Sequence, residues 1–154
     1  MNSLSFLIAD NARLLRAVFE RRIAQAGLSL TPGEARALLN IAAADGSRQL
    51  DIAARMSVEP MTLCAYLDKL QVLGLIERQQ CTADRRAKRI NLTDSAQEMI
   101  TALNQEIELI LAQATEGLDD RTKEVLVQAM ASVHANLQAL NSVQQPQPES
   151  DESR

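Results

Sequence analysis

The sequence predicts a mainly α-helical fold carrying one small β-hairpin, and three observations predict it. Among 154 residues there are two Phe, one Tyr and no Trp. Ala, Leu, Ile and Met supply most of the apolar content, a balance that favours helix packing over a sandwich or barrel. Apolar residues recur at helical spacing through most of the chain, and only between about residues 75 and 92 does the pattern change to two short runs of strand type. The length fits one ordinary domain with a real core.

The elements follow in order. Leu4, Leu7, Ile8, Ala12, Leu15, Val18, Phe19, Ile23 and Ala26 repeat at helical spacing until Gly27 closes the first helix. Thr31-Pro32-Gly33-Glu34 supplies an N-cap, a proline at the first helical position and a glutamate three residues on, so a second helix starts there. Its inward stripe is Ala35, Leu38, Leu39 and Ala42, and Asp45-Gly46 stops it. Ser47 is expected to cap a short third helix with Leu50, Ile52, Ala53 and Met56 on its apolar face. A fourth runs from about Pro60 to Leu73, burying Leu63, Leu67 and Leu70 before Gly74. Two helices joined by so short a turn outline a helix-turn-helix.

Beyond Gly74, Leu75 to Gln80 and Lys88 to Leu92 are strand candidates flanking Cys81 to Ala87, which reads as a hairpin with a basic tip. Thr93 is expected to cap a long helix through Ala96, Met99, Ile100, Leu103, Ile107, Ile110, Leu111 and Ala114, ended by Gly117. Asp119 or Asp120 opens a last helix in which Leu126, Met130, Val133, Leu137 and Leu140 alternate steps of four and three, the spacing of a helix–helix contact line. From Ser142 the composition turns to Gln, Pro, Glu, Asp and Ser, so residues 142–154 are expected to be a disordered tail.

Charge is distributed unevenly. The net value of -4 divides into +1 over residues 1–47, +3 over 48–93 and -8 over 94–154. Asp84-Arg85-Arg86-Ala87-Lys88-Arg89 places four cations in six residues, a density suited to phosphate contact, with a solvated loop as the competing reading. Two cysteines are too few for a disulfide framework, and no basic-plus-apolar leader is recognisable, so a cytoplasmic protein is expected. No apolar run approaches the roughly 20 residues that span a bilayer, and no membrane partner is expected. The sequence offers no Gly-rich phosphate loop, metal constellation or nucleophile with a base, so neither an enzyme nor a cofactor is expected.

In a helix-turn-helix the second helix lies in the major groove, its apolar face toward the domain. Its outward face here would be Met61, Thr62, Cys64, Ala65 and Lys69, with no Arg, Asn or Gln for bidentate base contact. Thr62 and the apolar side chains suit thymine methyl groups; for Met61, Cys64 and Ala65 the competing reading is plain packing. Arg85 and Arg86 at the hairpin tip suit a narrow minor groove, and Lys88 and Arg89 suit phosphate. Asp84, and Asp68 from the fourth helix, are placed to orient those guanidinium groups.

These residues resemble the multiple antibiotic resistance regulator (MarR) family, including its SlyA-like branch, from about Leu30 to Leu92 and more loosely to Leu140. The resemblance rests on Leu30-Thr31-Pro32, on Leu67-Asp68-Lys69-Leu70 followed by Gly74-Leu75-Ile76-Glu77-Arg78, and above all on Asp84 to Thr93. It implies a winged helix-turn-helix DNA-binding domain at 31–93 and a helical dimerisation region at 1–30 and 94–141. In that arrangement the first, fifth and sixth helices of two copies interlock, with Leu7, Leu15, Leu103, Ile107, Val133, Leu137 and Leu140 expected in the dimerisation layer. It further implies a pseudo-palindromic double-stranded operator and a small aromatic or phenolic ligand held between the two layers. The chain departs from the family in having Met61, Cys64 and Ala65 where a polar Ser or Thr and an Arg are common. The first helix has no cysteine of the kind peroxide sensors use, and one histidine, His134, is too few for the zinc-sensing type. His134 is read as facing solvent or the dimer contact, with a pH switch as the alternative. For Cys64 and Cys81 the readings are reduced thiols of no regulatory consequence or oxidant reporters on the DNA side. The competing function is a protein-interaction module that kept the winged fold and lost DNA binding, which Arg85 and Arg86 speak against.

Overall fold

The structure, a computed structural model, describes residues 3–80 and 87–143. Among the described residues, six helices and one hairpin follow in the order α1 (Leu4–Gln25), α2 (Pro32–Ala43), α3 (Gln49–Met56), α4 (Pro60–Val72), β1 (Ile76–Gln80), β2 (Lys88–Leu92), α5 (Ala96–Ala114) and α6 (Asp120–Ser142). The chain forms two compact units, residues 1–112 and 113–154.

In the first unit the caps read from sequence are largely in place. Thr31 and Glu34 form a reciprocal capping box at the start of α2, with Pro32 in the first turn. α4 ends in a Schellman arrangement: the Leu75 amide donates to the Leu70 carbonyl at 3.0 Å and the Gly74 amide to that of Gln71 at 2.9 Å, with Gly74 at φ +73°. Two caps differ from expectation. α3 starts after Arg48 with no side-chain cap, because the Ser47 hydroxyl donates backwards to the Ala44 carbonyl at 2.6 Å. α5 begins only at Ala96, because the Thr93 hydroxyl is spent on the Gly74 carbonyl, 2.6 Å away. Leu50, expected on the apolar face of α3, is 69% exposed, since the first turn of that short helix projects beyond the core.

One continuous core gathers Phe19 and Ile23 of α1, Leu38 and Ile41 of α2, Ile52 of α3, Leu63, Leu67 and Leu70 of α4, Ile76 and Ile90 of the hairpin, and Ile100, Leu103 and Ile110 of α5. Arg22 on α1 donates to Glu106 on α5 at 2.7 Å, a half-buried ion pair. The strands pair antiparallel, Ile76 opposite Leu92 through Gln80 opposite Lys88. Ile76 and Ile90 turn inward while Glu77, Gln79 and Arg89 face out, the alternation of a hairpin with one buried face. In the second unit, Asp119 caps α6 by accepting from the Thr122 amide at 2.7 Å. α6 has no buried residue: Leu126, Met130, Leu137 and Leu140 are all at least 45% exposed.

Candidate nucleic-acid interface

The site is built on α3, α4 and the hairpin. α3 ends at Ser57, a non-glycine residue at φ +53°, whose left-handed backbone turns the chain sharply into α4. Val58 then donates to the Ala53 carbonyl at 3.1 Å, so the turn between the helices is hydrogen-bonded rather than loose. α4 buries Leu63, Leu67 and Leu70 completely, which leaves Met61, Thr62, Ala65 and Lys69 exposed on the other side. The tight approach of α2 to α4 depends on Gly33: a Cβ there would lie 2.5 Å from Cζ of Tyr66.

Cys64 behaves differently from its neighbours. It is half-buried, and the Gln49 amide of α3 donates to its Sγ at 3.4 Å. The amide of Gln49 therefore reaches the α4 surface that was expected to belong to Cys64. Sequence reading missed Gln49 because only the packing of α3 on α4 brings it there; the available signal was its place in the first turn of a helix-turn-helix.

The hairpin is tied to this surface at two points. Arg78 of β1 donates to Oδ1 of Asp68 on α4 at 2.6 Å and to the Cys64 carbonyl at 3.3 Å. Asp68 pairs with Arg78 of the strand: residues ten apart meet because β1 doubles back along α4, while the Arg85 and Arg86 guanidinium groups that Asp68 was expected to orient lie outside the described residues. Arg78 entered the sequence reading only as part of a motif. Its Nε is buried without a partner among the described residues. On the other edge, residues 46–48 run beside β2: the Gly46 amide donates to the Ile90 carbonyl at 2.9 Å and the Ile90 amide to that of Ser47 at 3.0 Å. Asp45 Oδ1 accepts from the Leu92 amide at 2.8 Å.

Arg89, expected near phosphate, donates through Nη1 to the Gly46 carbonyl at 2.8 Å, so part of its guanidinium serves this edge. Lys88 is exposed. Asp84, Arg85, Arg86 and Cys81 lie outside the described residues. Of the residues expected in a dimerisation layer, Leu7, Leu15, Leu137 and Leu140 are exposed and Val133 and Ile107 half-buried. Leu103 is fully buried within its own chain, because the face of α5 that carries it packs into the core. His134 is exposed.

A cavity of about 280 Å³ opens among α1, α2 and α5, lined by Ala12, Leu15, Arg16, Phe19, Arg36, Leu39, Asn40, Ile107 and Ile110. Two of its polar residues also hold the helix-turn-helix. Arg36 donates to the Met56 carbonyl at the end of α3 at 3.4 Å and lies 3.9 Å from Glu20. The Asn40 carbonyl accepts from Arg55 of α3 at 3.1 Å. Among the described residues there is no group of three or more His, Cys, Asp or Glu that could hold a metal ion, and no helix is long and apolar enough to cross a membrane.

Comparison with known proteins places this arrangement. The MarR family profile matches residues 30–88, which span α2 through the start of β2. The structure of the transcriptional regulator PA3341 is similar at 30% identity and a TM-score of 0.68, over 89% of this chain and 99% of that one. A crystal structure of MarR superposes with a TM-score of 0.77 at 21% identity, over 91% of this chain and 94% of that one. A MarR transcriptional regulator from Methanosarcina mazei Go1 gives a TM-score of 0.73 at 18% identity, covering 89% of this chain and 97% of the other. With an inward-packed α4, a hairpin tied to it and these likenesses, the chain belongs to the MarR family of transcriptional regulators, whose members are not enzymes.

Proposed function

We propose that this protein is a homodimeric, sequence-specific DNA-binding regulator whose hold on a pseudo-palindromic operator responds to a small aromatic ligand. The observation that carries the reading is the joining of α4 and the hairpin into one surface through Asp68 and Arg78, with Met61, Thr62, Ala65 and Lys69 exposed beside that tie. α4 enters the major groove; Arg85 and Arg86, from the segment joining the strands, enter the adjacent minor groove, and Lys88 meets phosphate.

Dimerisation is supported by apolar surface that a lone chain would leave in water. α6 buries nothing, and α1 exposes Leu4, Phe6, Leu7, Leu14 and Leu15. The exposed apolar residues of α1 and those of α6 are the candidates for that contact. The ligand reading is supported by the cavity: Leu15, Phe19, Leu39, Ile107 and Ile110 suit an apolar ring, and Arg16 and Arg36 suit an anionic substituent. A ligand that engages Arg36 competes with the Met56 carbonyl and thereby loosens the end of α3, weakening DNA binding.

Selection from genomic DNA fragments at low salt tests the reading. An enriched site with two related half-sites is expected, affinity should fall steeply with salt, and Arg86→Ala should cost about 1–3 kcal/mol at that site. Recovery of no enriched site would overturn it in favour of the protein-interaction module.

A further inference from the structure

We propose that Gln49, in the first turn of α3, supplies an adenine-reading side chain beside the N-terminal turns of α4, which carry none, and that Cys64 is the positioning residue that orients it. The inference rests on the DNA-binding reading above. Adenine presents N7 as acceptor and N6–H as donor in the major groove, and only Asn or Gln meets both with one planar group. The exposed residues from Pro60 to Lys69 offer none: Met61 and Ala65 are apolar, Thr62 has a single hydroxyl and Lys69 only donates, and the exposed amide that α4 does carry, Gln71, sits in its last turn.

Gln49 brings the missing amide from the neighbouring helix. Its Nε2 lies 3.4 Å from Cys64 Sγ, so the amide rests on α4 one turn from Met61. Sulfur takes one of the two Nε2 hydrogens. The second hydrogen and Oε1 remain, which is the pair adenine requires, and no other hydrogen bond to this side chain occurs among the described residues. A thiol is a weak acceptor, so it holds the amide in one orientation while leaving it free to adjust on docking. Met61, 86% exposed, adds an apolar contact suited to a thymine methyl, so the combined surface prefers an A·T pair.

The test is selection from random duplexes, repeated with Gln49→Ala, Cys64→Ala and Cys64→Ser, followed by binding to the recovered site carrying 7-deazaadenine. The wild type is expected to select an A·T pair at matching positions of both half-sites. Gln49→Ala should lower preference for that pair by about 5- to 100-fold and leave other positions unchanged. Cys64→Ala should weaken the same preference to a smaller degree, and Cys64→Ser, which keeps an acceptor, should restore it. Removing N7 of that adenine should weaken the wild type and not Gln49→Ala, a readout independent of how the variant folds. Unchanged base preferences in Gln49→Ala, or a uniform loss for all sequences with a shallower salt slope, would overturn the proposal and leave DNA binding standing. Failure of the wild type to select any site would remove both.

Discussion

A double-mutant cycle on Asp68 and Arg78 measures how firmly the hairpin is fastened to α4. The carboxylate and guanidinium lie 2.6 Å apart, with side-chain exposures of 67% for Asp68 and 14% for Arg78. Two limits bracket the coupling. A fully exposed pair contributes about 0.2–1 kcal/mol, and breaking a fully buried one costs about 3–5 kcal/mol. Solvent reaches Asp68, so water substitutes for its carboxylate in Asp68→Ala and the loss falls toward the lower limit. Arg78 raises it: its Nε is already buried without a partner among the described residues, and without Asp68 only the Cys64 carbonyl remains for Nη2. The expected coupling is about 1–2 kcal/mol, with Arg78→Ala alone costing more because its buried stem also loses packing. Urea denaturation of wild type, both single variants and the double variant at one fixed protein concentration gives the value. A coupling below about 1 kcal/mol would refute the reasoning, for the contact would then be no different from a surface ion pair.

Gly33→Ala should destabilise by about 1–3 kcal/mol through overpacking against the Tyr66 ring, and Tyr66→Leu in the same chain should recover most of the loss in denaturant titration. Ser57→Gly should stabilise by up to about 1 kcal/mol, because glycine meets the φ of +53° without the Cβ penalty; an unchanged urea midpoint would contradict this. Leu103→Ala should cost about 2–5 kcal/mol in unfolding experiments, as a cavity in the chain's own core, whereas Leu137→Asp should act on association and be read by sedimentation. Hydrogen bonding from Thr122 holds the Asp119 carboxyl below its ordinary value of 3.8, so its capping of α6 is present above that pH and lost as pH falls through the depressed value. Far-ultraviolet circular dichroism should therefore lose helix signal on acidification in the wild type, and Asp119→Asn should remove that part of the pH dependence.

Elements marked by periodicity and strong punctuation were legible before the structure. Thr31-Pro32-Gly33-Glu34, Gly74 and the run Leu63, Leu67, Leu70 set the positions of α2 and α4 because local chemistry and burial agree there. The failures lie where a side chain had two partners to choose between. Ser47 and Thr93 look like caps, but each finds a carbonyl one turn back or across a turn, and the helix starts later. Leu50 and Leu103 fit their helical stripes equally well, yet one is at a projecting end and the other deep in the core, a difference that periodicity does not encode. For the interface, the exposed positions of α4 followed from its buried ones. Gln49 and Arg78 did not, because their roles arise from contacts 15 and 10 residues away in sequence.

The shared core of the first unit bears on any attempt to isolate residues 31–93. Excising residues 31–93 would strip away Phe19, Ile23, Ile100, Leu103 and Ile110, together with both partners of the Arg22–Glu106 pair, leaving Leu38 and Ile41 with part of their cover missing. Such a fragment, at a size where a core is already marginal, would have to rearrange to remain folded. The parts of α1 and α5 that share this core are thus structural organs of residues 31–93 rather than detachable accessories.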